Sequence, residues 1–402
     1  PPEQRSSPAR MLLHIVAGAF TRRSLIGRGG YPRAVRLAWN TQHARSGDWR
    51  VCVGFNHTLA VLGAPVALPP PHGFTAIGTV LADFSTGADL SNCHLAADPH
   101  VSNRLVATYR HHTGCVAKKG CTRYALEASE STDGGRSWSY LATIVHGTVG
   151  MWEPFGTYEL AACGAHHARR NSDAPRPLTV AYSQELTNGG QQSIVAQSSV
   201  DGGRSWSAPR TLSDGRAHNS RDGMPGLATL ASGDVVLVFE GFWANGWGHF
   251  SVQGRLSKDG GCTFDEGRVL FAPPNTTGSA QVPIRNAGAP QVVAFAGGNR
   301  LFVSFMSDEA SCSAAHENDD TNELGVAGWP NNACVEVMAS ASAAKSGALD
   351  FDVASRHVYS PLQAKWPALA LTWPTGGEEP VGGVLLVYGL SDGESYVEGP
   401  LD

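Results

Sequence analysis

Charge is scarce in this chain. Only 16% of its 402 residues are Asp, Glu, Lys or Arg, and the net charge is −5. Such a chain offers no basic stripe for nucleic acid or for an anionic membrane surface. Also missing is any apolar run long enough to span a bilayer. The stretch nearest to a signal-peptide apolar region, MLLHIVAGAF (11–20), carries His14 and follows a polar Pro/Ser leader, so it reads better as a strand. No paired CxxC spacing is present, which excludes the common zinc modules. His111-His112 and His166-His167 have no third ligand at a convincing spacing, so no metal ligand set is assigned. Long helical periodicity is absent, and no Gly-rich turn follows a strand and opens a helix, so phosphate loops are excluded as well.

What is present is glycine, 47 residues of it, together with short apolar strands, the composition of a loop-rich all-β protein. The eight cysteines form an even set, and two pairs lie close together, Cys115 with Cys121 and Cys312 with Cys334; local disulfides are expected. Two sequons, Asn56-His57-Thr58 and Asn275-Thr276-Thr277, agree with a secretory route, and a first residue other than Met suits a mature or trimmed chain.

One pattern recurs through the chain: an apolar strand, a polar or Gly-rich turn, then a second apolar strand ending in an aromatic. The second strands read RVCVGF (50–55), RLVATY (104–109), PLTVAY (177–182), VVLVF (235–239), RLFVSF (300–305) and GVLLVY (383–388). Their terminal aromatics are Phe55, Tyr109, Tyr182, Phe239, Phe305 and Tyr388. Repetition at such a period is the signature of a propeller with loop insertions. Laid over it are STDGGRSW (131–138), SVDGGRSW (199–206) and SKDGGCTF (257–264). In each, Asp133, Asp201 or Asp259 is placed to accept from backbone N–H groups of its own turn, while paired glycines supply φ > 0. These are the Asp-box turns of sialidase-like propellers, and their role is structural. The expected architecture is an all-β, six-bladed β-propeller with Asp-box turns, one domain over residues 1–402. The residues after Tyr388 suffice for about one more strand, so MLLHIVA at the N-terminus is expected to complete the last blade and close the ring, removing an exposed edge.

In a hairpin, the start of the first strand and the end of the second lie together. Across the blades, these positions should crowd onto one face. The starts read YPR (31–33), DLSN (89–92), MWEP (151–154), RDGMP (221–225), RNAGAP (285–290) and KWP (365–367). Glu153 begins blade three and Glu240 ends the second strand of blade four, so neighbouring blades deliver two carboxylates to one mouth. Arg33, Asn92, Arg110, Asp222, Arg285 and Asp308 are expected beside them, with Trp152, Phe155, Phe242, Trp243, Trp247 and Trp366 as flat apolar surfaces. Paired carboxylates, aromatic platforms and hydrogen-bonding groups make a carbohydrate site.

WEPF, a strand ending VAYSQE, QSIVAQSSVDGGRSW and RDGMPGLATLASGDVVLVFE follow one another in the order that resembles glycoside hydrolase family 93. DLSNCHLAADPHVSNRLVATYRHH (89–112) resembles the corresponding second blade, and the match covers roughly residues 28 to 310. The resemblance implies a secreted, retaining exo-arabinanase that releases arabinobiose from α-1,5-L-arabinan, with its two catalytic glutamates at Glu153 and Glu240. It also implies that Asn92 and Arg110 face the sugar. Insertions after Cys163 and between Ser311 and Ala333 depart from the pattern, as does the last blade.

A retaining furanosidase needs a nucleophile and a general acid/base with carboxyls about 5–5.5 Å apart. Glu153 is assigned as nucleophile and Glu240 as acid/base, with the reverse left open. Arg110 and Asn92 would bind sugar hydroxyls, while Trp152 and Trp243 stack on ring faces. No cofactor is required; a structural Ca²⁺ or Na⁺ in the central channel is compatible with the sequence. The partner expected is an oligo- or polysaccharide, with neither nucleic acid nor membrane, and the chain is expected to be a monomer. Two alternatives stand beside this reading. An exo-sialidase would use converging arginines, for which Arg33, Arg110, Arg221 and Arg285 are candidates, though Tyr31-Pro32-Arg33 replaces the usual Arg-Ile-Pro. A non-catalytic glycan-binding propeller would need neither acid.

Overall fold

The computed structural model describes residues 22–37, 48–64, 74–161, 163, 176–187, 190–243, 249–273, 285–295, 300–309, 329–330, 333–340, 349–360, 364–371, 384–390 and 394–399. Those residues form an all-β propeller of six four-stranded antiparallel sheets. Sheets 1 to 5 each take four strands in chain order, beginning with Gly30–Arg36, Asp89–Ala97, Met151–Thr157, Gly223–Thr229 and Ala287–Phe295. Sheet 6 begins with Ala364–Leu371 and continues through Val384–Leu390 and Glu394–Gly399. The first strand of every sheet touches the first strands of both neighbouring sheets, and the cycle returns from sheet 6 to sheet 1. The only helical turn among the described residues is Val353–Ser355.

Sheets this apolar on both faces must be covered on both. Between every adjacent pair lies one hydrophobic cluster. Leu95, Tyr109 and Val61 fill the seam of sheets 1 and 2; Val180, Tyr182 and Leu126 fill that of sheets 2 and 3; Leu237, Phe239 and Ile194 fill that of sheets 3 and 4. Val303, Phe305 and Val238 follow between sheets 4 and 5, Leu386, Tyr388 and Val337 between sheets 5 and 6, and Trp49, Val51 and Val387 between sheets 6 and 1. The second-strand aromatics Tyr109, Tyr182, Phe239, Phe305 and Tyr388 are all 0% exposed. Truncating one to Ala costs about 3–5 kcal/mol in such a core.

Phe55 is the exception. In sheet 2 the ladder pairs His94 with Thr108, just before Tyr109, whereas in sheet 1 the equivalent pair is Arg33 with Cys52. Val53 therefore takes the buried place, and Phe55 is carried two residues onward to the hairpin tip, where it is 40% exposed. The sequence repeat misplaces it because alternation keeps residues two apart on one face.

The three S-x-D-G-G turns have the expected geometry. Asp133 accepts from the N–H groups of Arg136 and Ser137, both at 3.0 Å. Asp201 accepts from Arg204 and Ser205, and Asp259 from Cys262 and Thr263. Hydrogen bonds from the Ser137 and Ser205 hydroxyls, and then these N–H groups, hold Asp133 and Asp201 well below the usual carboxylate range. The closing Trp138, Trp206 and Phe264 pack against the seams on the preceding side.

Two expectations are corrected. The ring is closed by Arg22–Arg28, which pairs antiparallel with Glu394–Gly399; MLLHIVA (11–17) lies outside the described residues. The disulfides are also not all local. Cys115–Cys121 is, but Cys52–Cys93 ties sheet 1 to sheet 2, and Cys163–Cys262 ties the end of sheet 3's first hairpin to the third Gly-Gly turn. Cys334 is disulfide-bonded, and Cys312 lies outside the described residues. No helix among the described residues is long and apolar enough to cross a membrane.

Because Cys163 and Cys262 are 99 residues apart, their link is worth about 4–5 kcal/mol in the chain-entropy view. The Cys163→Ser/Cys262→Ser double variant is expected to lose about 5 °C of thermal midpoint by calorimetry. An unchanged midpoint would show that this link carries no stability.

Candidate active site

The starts of the six first strands share one irregularity. Tyr31, Asn92, Glu153, Met224, Ala289 and Trp366 all have φ between 50° and 56°, a left-handed conformation costing an L-residue about 1–2 kcal/mol. In every sheet the ladder slips at this point, from Gly30–Gly54 to Arg33–Cys52 in sheet 1 and from Trp152–Ser183 to Phe155–Ala181 in sheet 3. Five of the six residues precede proline, Pro32, Pro154, Pro225, Pro290 and Pro367. Proline has no N–H for the ladder, so a bulge forms there. The sixth precedes Cys93, which is anchored by its disulfide.

Each bulge frees a backbone N–H, and two of these freed groups hold acids. Met224 N donates to Glu153 Oε2 at 3.0 Å, and Ala289 N donates to Glu240 Oε2 at 2.7 Å. Each carboxylate is thus capped by the bulge of the next sheet round the ring. Ser183 Oγ also donates to Glu153 Oε2, at 2.8 Å. Glu240 pairs in the ladder with Gly223, which directly precedes Met224, and the charge of Glu153 acts on the Glu240 carboxyl.

Their environments differ. A Cβ on Gly288 would stand 2.3 Å from Glu240 Oε2 and 3.2 Å from Trp329, so the carboxyl sits in a seat that only glycine permits, beside a Trp ring. Met224, Phe242, Ala289, Met306 and Trp329 form one apolar cluster there. Burial, and then the negative charge of Glu153, push Glu240 up to about 8, against the opposing pull of the Ala289 N–H and Arg221.

A cavity of about 260 Å³, counted out to its open mouth, is lined by Tyr31, Arg33, Asn92, His94, Glu153, Phe155, Met224 and Gln291 among others. Glu240 does not line it; its ladder partner Gly223 directly precedes the lining residue Met224. Arg33 donates to the carbonyls of Pro32 and Trp366, and burial pulls it down to about 10. His94 accepts from Gly156 N, and burial lowers it to about 3, so it is neutral. Asn92 is 4% exposed, and its Oδ1 has no hydrogen-bond partner. The Tyr31 ring stacks on Trp366 at 4.5 Å, and its hydroxyl donates across the ring to Met224 Sδ at 3.2 Å.

Of the residues expected at the mouth, Arg33, Asn92, Glu153 and Phe155 line this cavity, Glu240 adjoins it, and Trp366 stacks on the lining residue Tyr31. Arg110 lies over the Trp152 ring at 5.0 Å and is paired with Asp89; Trp152 is held by Glu185. Asp222, Trp243, Arg285 and Asp308 are structural. Asp222 is fully buried and accepts from Ser213, Ser220 and Trp243. Trp243 is stacked on His218 at 3.8 Å, with Arg255 over it, so it offers no free platform. Arg285 donates to the Asp308 carbonyl, and buried Asp308 accepts from Asn286. Phe242 is buried, and Trp247 lies outside the described residues. Among the described residues, no group of three or more His, Cys, Asp or Glu could hold a metal ion.

Sequence reasoning missed Tyr31, Met224, Ala289 and Ser183. The x-Pro pairs were the available signal, since the left-handed residue directly precedes the proline. Gly288 and Trp329 carried no local signal.

No family model matches the chain, and no curated protein is similar to it in sequence. Solved structures share its fold. An α-L-arabinanase of Penicillium chrysogenum, complexed with arabinobiose, is 15% identical with a TM-score of 0.62, covering 95% of this chain and 98% of that one. An α-L-arabinofuranosidase of Fusarium graminearum, complexed with an iminosugar inhibitor, is 16% identical with a TM-score of 0.60 over the same shares. A Hadza microbial sialidase is 12% identical with a TM-score of 0.54, covering 93% of this chain and 66% of that one.

If the apolar seat sets the proton affinity of Glu240, admitting water should lower it. Trp329→Ala is expected to bring the Glu240 titration from about 8 toward the ordinary carboxylate range, read by NMR on carboxyl-labelled glutamate. An unmoved titration would remove Trp329 from this role.

Proposed function

We propose that this protein is a secreted, retaining exo-glycosidase acting on α-1,5-L-arabinan or a related arabinofuranoside. The observation that carries the reading is the acid pair: two carboxyls from adjoining sheets each accept from the bulge N–H of the next sheet, and burial together with the charge of Glu153 raises Glu240 to about 8. Supporting it, the fold is shared with proteins crystallised with arabinobiose. Two inter-sheet disulfides suit an oxidising compartment.

The environments divide the roles. Glu240 keeps its proton at neutral pH and serves as the general acid to the leaving oxygen. Glu153 has Oε2 fixed by Ser183 and Met224 N, which leaves Oε1 without a protein partner among the described residues and free to attack the anomeric carbon. Glu240, once deprotonated, then takes a proton from the water that cleaves the glycosyl ester, giving net retention. The unpartnered Asn92 Oδ1 accepts from a sugar hydroxyl, and Arg33 donates beside it. Arg110 and Trp152 form the next platform outward.

The sialidase reading needs three arginines around one carboxylate. Of Arg33, Arg110, Arg221 and Arg285, only Arg33 lines the cavity. The others are turned to Asp89, Glu185 and the Asp308 carbonyl. A binding propeller has no use for a carboxyl kept protonated to about 8.

Glu153→Gln and Glu240→Gln are each expected to cut kcat/KM on linear arabinan by about three orders of magnitude or more, with arabinobiose or another short sugar as the parent's product and no release from sialyllactose. Near-parental rates in both variants would sink the assignment. Activity should also fall above pH about 8, where Glu240 loses its proton. Stability should follow the same sign. A carboxyl raised in the folded state favours folding at low pH, and that contribution is lost as pH climbs from its ordinary range through about 8.

A further inference from the structure

Phe55, Asn56, His57 and Thr58 form a two-residue hairpin turn. Phe55 and Thr58 are cross-strand partners. Asn56 and His57 have φ of 45° and 58°, the left-handed pair of a type I′ turn. The turn is pinned from behind by Asp83 N, which donates to the His57 carbonyl at 2.9 Å. Asn56 is exposed, and its side chain makes no hydrogen bond among the described residues. Thr58 sits two residues on and donates to the Asn56 carbonyl, so Asn-x-Thr is displayed on a rigid tip.

Directly before the asparagine stands an aromatic ring that the protein covers only in part. The corresponding strands of the other sheets bury their aromatics completely, whereas Phe55 is 40% exposed and Phe84, on the same corner, is 75% exposed. A type I′ turn brings the residues flanking it face to face. A group grown from Asn56 Nδ2 therefore leaves the turn next to the paired Phe55 and Thr58. A pyranose presents C–H groups on one face, and an aromatic ring presents its electron-rich face to such hydrogens.

We propose that Asn56 carries an N-linked glycan whose first N-acetylglucosamine lies on the Phe55 ring. The donor is a lipid-linked oligosaccharide pyrophosphate. A bond forms between Asn56 Nδ2 and the anomeric carbon of the sugar, the bond from that carbon to the pyrophosphate oxygen breaks, and Nδ2 releases one proton. The glycan then stands at the rim of sheet 1 and covers the ring that the repeat left exposed.

The test uses full-length protein from a eukaryotic secretory host, with Thr277→Ala removing the other sequon. Mass spectrometry of the Asn56 peptide reads occupancy, and NMR of the ¹³C-labelled core sugar reads contact with the ring. The expected result is an occupied Asn56 whose core-sugar ring protons lie upfield of those in Phe55→Ala. Phe55→Leu serves as the apolar control, since it keeps bulk at the turn but has no ring current, and the upfield shift should vanish there too. An unoccupied Asn56 overturns the proposal. So does an occupied Asn56 whose sugar resonances are the same in all three proteins.

Discussion

A left-handed residue at the start of each first strand is the constraint on which the site depends. A regular strand would spend every N–H on its neighbours and alternate its side chains between two faces. The bulge breaks both habits at one position, and proline immediately after it prevents the ladder from healing. Since the sheets stand in a ring, the freed N–H of one is offered to the acid of the one before. Met224 and Ala289 perform this service for Glu153 and Glu240. Strain of about 1–2 kcal/mol at each bulge is offset by the six seams of buried aliphatic and aromatic side chains between the sheets.

The same frame lets two glutamates of one chain differ. Glu153 is met by a hydroxyl and an amide, both of which stabilise a charged carboxylate. Glu240 receives one amide, from Ala289, and is buried beside Gly288 and the Trp329 ring. Proximity then adds to the difference, because the charge on Glu153 opposes a second one close by. Neither residue type nor strand position sets the contrast; the neighbours supplied by adjoining sheets do.

Much of this was legible in the residues and some was not, for identifiable reasons. Glu153 stood out as an acid inside MWEPF and Glu240 as the acid closing VVLVFE, because a carboxylate in apolar company is informative. Asp222 and Asp308 occupy similar strand ends yet face inward; their partners Ser213, Ser220 and Asn286 are ordinary polar residues that signal nothing by themselves. Met224 and Ala289 act through backbone, which a side-chain reading overlooks. Trp329 arrives from an insertion whose path the repeat does not specify. Phe55 matched the aromatic pattern by type but missed it by two positions, a shift that the alternation of a strand conceals.

The pairing of Arg22–Arg28 with Glu394–Gly399 bears on how the chain is made. The outermost place in sheet 6 is filled by a segment translated roughly 370 residues ahead of the strand it pairs with. At 5–20 residues per second, the wait between the two is roughly 20 to 80 s. Throughout that interval the early segment has no mate and the growing ring stays an open arc. Quality control in the cell therefore meets a long-lived precursor with a bare edge at each side of the arc, and a ribosome that stops before Glu394–Gly399 releases a molecule that cannot circularise.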